Sequence, residues 1–203
     1  MTEKTLSAEQ LLATFWLNTI GDSNPTKCNL ENLRRFAAAK CCNVSDAALQ
    51  EAAKKVSGDL FKDDVDGWIT LVCFFGHPLA LWNFLIDAVA MAETDEHLGT
   101  IAAGPAEHLL SYYGSLIPLF ERQAQRDSKF KRMLTGVWRL KMCDEVWLRL
   151  RKVQADEQNP LPEMIPLEHG AEWMRDSLSE EDRKNADKGR YVKDSKGFWQ
   201  KSN

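Results

Sequence analysis

The chain has 203 residues, 44% of them hydrophobic and 28% charged, with a formal net charge of −4. This is a globular composition, sufficient for one sizeable core or two small domains. A membrane span is excluded in the most apolar region, Trp68 to Ala92, because Gly76-His77-Pro78, Asn83 and Asp87 interrupt it before the roughly 18 consecutive apolar residues that a span requires.

Met1 to Gln10 is polar and has no apolar h-region, so no signal peptide is expected and the protein is expected in the cytoplasm. The cysteines (Cys28, Cys41, Cys42, Cys73 and Cys143) are odd in number and show no C-x-x-C spacing. Buried reduced thiols are the reading that follows.

In chain order, Ser7 and Gln10 have the spacing of a capping box, and Leu6 and Leu11 that of a hydrophobic staple. They predict a first helix with Leu12, Phe15, Trp16 and Ile20 inward, ended by Gly21. Asn29 is placed to cap a second helix (Leu30, Leu33, Phe36, Ala37), and Ser45 a third (Leu49, Ala52, Ala53, Val56) that stops at Gly58. Trp68 to Ala92 reads as two buried core helices, although Ile69 to Phe75 fits a strand as well as a helix.

From Asp95 to Trp147 punctuation and apolar pattern agree most closely. Gly104-Pro105 predicts a helix start, with Glu107 in the first turn facing the unpaired amides and the positive end of the dipole. Leu109, Leu110 and Tyr113 form its apolar side, and Gly114 is the expected left-handed stop. Leu116, Ile117, Leu119, Phe120 and Ala124 then predict an antiparallel helix. Asp127 caps a third, with Phe130, Met133 and Leu134, ending near Gly136. Asp144 caps a fourth, with Val146, Trp147, Leu150 and Val153 inward.

The run Leu98-Gly99-Thr100-Ile101-Ala102-Ala103-Gly104-Pro105-Ala106-Glu107-His108-Leu109-Leu110, followed by Gly114, Asp127, Gly136-Val137-Trp138 and Asp144-Glu145-Val146-Trp147, resembles the signature of a bacterial domain of unknown function. That signature has Gly-Pro-Leu-Glu-Asp-Leu-Leu, a Gly, an aspartate turn and Gly-Val-Trp. This chain departs from it at Ala106, in place of Leu, and at His108, in place of Asp. The resemblance implies a small helical cytosolic domain and brings no established chemistry.

Beyond Asp156, Pro160, Pro162 and Pro166 make a connector, and Trp173, Met174 and Leu178 suggest one short docking helix. Arg183 to Asn203 carries seven basic and two acidic residues, a net of +5. The expected organisation is a helical domain over 1–155, with the signature region at 95–153, and a tail over 156–203. No alternating strand pattern is evident. The expected fold is therefore all-α, a compact multi-helix bundle or a short solenoid-like stack of helix pairs with an extended C-terminal tail.

Searches for chemistry mostly fail, since G-x-S-x-G, H-E-x-x-H, Walker and Rossmann motifs are absent. The calcium-loop look-alike at Lys62 to Gly67 has Lys62 in the first ligand position. No metal site and no cofactor are expected. Glu96-His97, Glu107-His108 and Glu168-His169 supply carboxylate and imidazole, but adjacent helical residues point about 100° apart. His97 and His108 meet only if the chain folds back at Gly104-Pro105.

Of the seven Trp, Trp16, Trp68, Trp82, Trp138 and Trp147 fall on apolar stripes and read as core, whereas Trp173 and Trp199 in the tail read as surface anchors.

Two functional classes fit. One is a small acidic binding protein that occludes a protein partner, as an immunity protein or counter-defence inhibitor occludes a basic toxin or nuclease, with Trp173, Trp199, Glu107 and His108 as candidate contacts. The other is an enzyme with its site at Gly104-Pro105-Ala106-Glu107-His108. No membrane partner is expected, and nucleic acid only weakly, through the basic tail.

Overall fold

The computed structural model describes residues 5–20, 26–57, 63–69, 77–161 and, as backbone, 191–193 and 199–201. Ser7 opens α1 (Ala8–Thr19) with the capping box that the spacing predicts: its hydroxyl accepts the Gln10 N–H while the Gln10 side chain accepts the Ser7 N–H. Asn29 caps α2 (Leu30–Ala39) and Ser45 caps α3 (Asp46–Val56), each accepting the N–H three residues on. The predicted stops at Gly21 and Gly58 lie outside the described residues.

α2 ends on Cys41, whose φ of 52° is left-handed. The Cys41 N–H donates to Ala38 and the Cys42 N–H to Ala37, the two closing bonds of a Schellman motif. The expectation of buried thiols holds at Cys28 but not elsewhere among the described residues. Cys41 and Cys143 are exposed and Cys42 is half-buried, because they sit at helix ends rather than on inward stripes. All four are free, and Cys73 lies outside the described residues. Burial, with Asp63 adding to it, pushes the Cys28 thiol up to about 12, so it stays protonated.

Residues 65–69 are helical. α4 (Pro78–Met91) starts at Pro78 with His77 as its cap. It is apolar nearly all round, as befits a helix packed on more than one side. Phe84 meets Trp16 and Trp68 at 5.9 and 6.0 Å between ring centroids. Trp82 meets Phe120 and Phe130 at 4.9 and 5.7 Å. The helix thus joins α1 on one side to the later helices on the other.

After Thr94, which caps α5 (Asp95–Ile101), the chain does not break at Gly104-Pro105 as predicted. It runs on through a π turn (Ala102–Ala106) into α6 (Glu107–Tyr112), and the Glu107 N–H donates back to Ala102. The cause lies in the apolar spacing. Leu98, Ala102, Ala106 and Leu110 recur every four residues, as do Ile101, Pro105 and Leu109, and all seven are buried. At about 100° per residue, a four-residue repeat drifts by about 120° between Leu98 and Leu110; one inserted residue takes back about 100° and returns the stripe to one face. The wider turn also displaces the Ile101 carbonyl, against which Pro105 would clash in a regular α-helix.

Gly114 is not left-handed either. α6 ends at Tyr113, and Gly114–Leu116 forms a 3-10 turn. Gly114 is there for room, since a Cβ on it would stand 2.6 Å from Val146 Cγ2.

α7 (Ile117–Arg126), α8 (Ser128–Leu134) and α9 (Asp144–Ala155) pack on one another. Asp127 caps α8 as predicted, accepting from Lys129 and Phe130. Asp144 is not a cap: Cys143 holds that position, and Asp144 begins α9 with its carboxylate paired to Arg139. Bidentate pairs fasten α8 to α5 (Arg132 to Asp95) and α9 to α7 (Arg149 to Glu121).

The described helices make the fold all-α, and none is long and apolar enough to cross a membrane. The chain divides into two units, Met1–Pro162 and Glu163–Asn203. In the second, β1 (Tyr191–Lys193) and β2 (Trp199–Lys201) form an antiparallel hairpin with Val192 opposite Gln200. No strand is expected there from the sequence, because three-residue strands are too short to show an alternating pattern. The suggested docking helix at Trp173 to Leu178 lies outside the described residues.

Gly114→Ala should lower stability by about 1–3 kcal/mol, the usual cost of overpacking against a stiff β-branched side chain. In urea melts, Val146→Ala in the same chain should recover most of that loss. A melt of Gly114→Ala that matches wild type would show the contact to be soft.

Candidate functional site

Among the described residues, Glu107 is the one carboxylate singled out by both sequence and structure. The π turn carries it inward rather than onto an exposed first turn, and the residue is only 9% exposed. Its helix has no free N-terminus to offer, so the expected dipole role is replaced by a different chemistry. Burial raises its carboxyl to about 7, opposed by a hydrogen bond from the Trp138 backbone N–H.

Trp138 belongs to the segment between α8 and α9. Val137 and Met142 are buried at its ends. The Gln154 amide, itself buried, donates to the Leu134 and Val137 carbonyls at 2.8 and 2.9 Å. Gly136 lies so close to the π turn that a Cβ would come within 3.0 Å of Ala102 Cβ and of Leu161 Cδ1. Between these anchors Trp138, Arg139, Leu140 and Lys141 run beside α6. The Lys141 ammonium stands 5.7 Å from the centre of the Tyr112 ring. His108 stacks on the other ring contact of Tyr112, with centroids 5.8 Å apart and planes 13° from parallel. Burial holds the His108 imidazole below its ordinary value.

The face so formed is apolar and exposed. Trp138 is 40% exposed, Tyr112 49% and Leu140 53%. Trp138 is therefore not the core residue its stripe predicts. Leu140 also has a φ of 40°, a conformation costing a non-glycine residue about 1–2 kcal/mol.

Glu107 and His108 are thus brought to this face. His97 is not: the unbroken helical run keeps it about 16 Å along the axis from His108. Its Nδ1 accepts the Glu93 N–H, a capping role. Glu168-His169 and Trp173 lie outside the described residues, as does the side chain of Trp199. Tyr112 and Leu140 were missed by sequence reasoning, as was Gln154. The one available signal was the run Trp138-Arg139-Leu140-Lys141, which alternates without helical period between two buried positions. Among the described residues no group of three or more His, Cys, Asp or Glu is placed to hold a metal ion. A groove of about 900 Å³ between α7, α8 and α9 is lined by surface ion pairs such as Lys131–Asp156 and Arg149–Glu121.

Residues 61–158 match the model of a family of unknown function (DUF6869). No curated protein and no solved structure matches the chain. The matched span contains Glu107, His108, Tyr112 and the whole 137–142 segment, together with the Leu98 to Trp147 stretch.

The Glu107 shift fixes a pH dependence. A carboxyl raised from 4.5 to about 7 on folding contributes stability that is full below 4.5 and lost as pH rises through about 7. The loss should reach up to about 3 kcal/mol. Glu107→Gln should remove that slope and exceed wild type in stability above pH 7, measured by urea denaturation from pH 4 to 8.5. Equal slopes in the two proteins would place the Glu107 carboxyl in water.

Proposed function

We propose that the protein is a helical binding module that acts by occluding a protein partner, and that the face built by Tyr112, Trp138 and Leu140 is its contact surface. The observation that carries this reading is the clustering of exposed apolar side chains on a backbone held in a costly conformation. Of the six strongly exposed large apolar residues among those described, three belong to this face. Aromatic side chains on a preorganised loop are characteristic anchors of protein interfaces, and exposed apolar clusters mark interaction sites more often than chance. The partner fits the immunity or counter-defence class, a basic toxin or nuclease whose charge complements the acidic body: with +5 on residues 183–203, the remaining chain carries −9.

A second reading has one observation behind it. A carboxyl that titrates near 7 has the proton affinity that general acid–base catalysis uses, which favours an enzyme with its site at Gly104 to His108. Its burial weighs against direct contact with a substrate.

A photo-crosslinking residue at position 140 should give a discrete protein adduct in cells of the native host, and one at the equally exposed Leu79 should not. Trp138→Ala should abolish the adduct, while Glu107→Gln should retain it. Equal labelling at both positions, or none, would reject this surface.

A further inference from the structure

A cavity of about 710 Å³ lies on elements that the Tyr112, Trp138 and Leu140 face does not use. It is walled by residues of α1, α3, the helical residues 65–69 and α4. Its apolar lining includes Trp68, Trp82, Phe84 and Ile86, and its charged lining residues are Glu9, Lys55 and Asp87. Aromatic walls with a few polar groups, in a volume of this size, are the usual make-up of a small-molecule site.

The aromatic wall follows from the sequence of α4. Trp82 and Ile86, and Asn83 and Asp87, stand four residues apart, so the four share one side of the helix. Both indoles are held by rings around them: Trp82 lies edge-on to Phe120 and Phe130, at 4.9 and 5.7 Å between centroids, and Trp68 edge-on to Phe84 at 6.0 Å. Yet both stay half-exposed. Core packing therefore uses part of each indole and leaves the remainder to the cavity.

The charges in the wall are not equivalent. The Lys55 ammonium pairs with Glu9 and, at 3.6 Å, with Glu51, so Glu9 already has its counter-charge. Asp87 has a neutral partner instead, the Gln10 side-chain amide, which donates to it at 3.0 Å. No Lys, Arg or His among the described residues pairs with it. Gln10 is itself fixed, because its carbonyl oxygen accepts the Ser7 N–H in the cap of α1. A hydrogen bond from the start of one helix thus orients a carboxylate on another, and the cavity keeps a net charge of −1 from Glu9, Asp87 and Lys55.

An oriented carboxylate without a counter-ion, in one cavity with two indoles, selects by chemistry. An anion is repelled by Asp87, a neutral ligand gains nothing from its charge, and a hydrated inorganic cation gains little from the ring faces. A cation whose charge is spread over an apolar surface gains from both, since an indole face attracts it and the carboxylate balances it. We propose that this cavity binds a small organic cation of the alkylated ammonium class, with Asp87 as counter-charge and Trp68 and Trp82 as the aromatic surfaces. The site is independent of the partner-binding face, and its ligand is a second one for this chain.

The test uses the free full-length protein with labelled indole nitrogens, followed by NMR at constant ionic strength. One titration uses benzyltrimethylammonium and the other benzyl alcohol, which keeps the ring and lacks the charge. The Trp68 and Trp82 indole resonances should shift saturably, and the cation should bind about tenfold more tightly than the alcohol. Asp87→Asn keeps an oxygen to accept from Gln10 and removes the charge, so it should bring the two affinities together. Trp68→Leu should weaken binding of the cation, while Trp138→Ala should leave both probes unchanged. Equal wild-type affinity for the two probes, shifts spread evenly over all seven indoles, or a preference that survives Asp87→Asn would each overturn the site. Should Trp68→Leu fail to fold, the comparison of Asp87→Asn with wild type decides. No protein partner enters this measurement, so its failure leaves the contact surface standing, and failure of the crosslink leaves the cation site standing.

Discussion

One inserted residue governs the second half of this fold. The helical run from Asp95 to Tyr112 carries its apolar residues every four positions, and only a π turn keeps such a stripe on one face. Without it, α6 would be rotated by about 100° relative to α5. Leu109 and Leu110 would leave the core, and Glu107 would leave its buried position. The same insertion that buries the stripe therefore buries the carboxylate next to it.

That burial has a thermodynamic consequence shared between fold and site. Aromatic pairs across α4 contribute about 0.5–1.5 kcal/mol each beyond their area, and they hold the later helices close. Close packing of the π turn against α8, and of Gly136 against Ala102, removes water from around Glu107. The raised carboxyl is thus a product of core packing rather than of a neighbouring charge. Stabilising the packing and raising the proton affinity are one physical effect.

The features legible in the sequence are those whose physics is local. Ser7, Asn29, Ser45 and Asp127 each cap a helix through a bond to an amide two or three residues away, so the sequence contains both partners. The all-α class followed from these signals and from helical spacing. Gly136 follows the end of α8 as its place after the apolar stripe indicates, whereas Gly114 was misread because its close neighbour, Val146, is distant in sequence. Pro105 was read as a start because proline usually is one; the four-residue spacing through it was visible but needed the π turn to make sense. Of the candidate site, Glu107 and His108 were found, while Trp138 was placed in the core, since a stripe says nothing about which anchors lie on either side of it.

Those anchors explain why the exposed segment persists at a cost. Gln154 fixes Val137 and packing fixes Met142, so the four intervening residues must turn within a set end-to-end distance. The turn is made by Leu140 at a positive φ, where glycine would be cheaper. A leucine there keeps an exposed apolar side chain in this segment, which a glycine would forfeit. Backbone strain and apolar exposure both oppose folding, and they coincide at one place held by buried bonds. That coincidence is what a preorganised contact surface requires, because the cost of ordering it is met during folding and not at association.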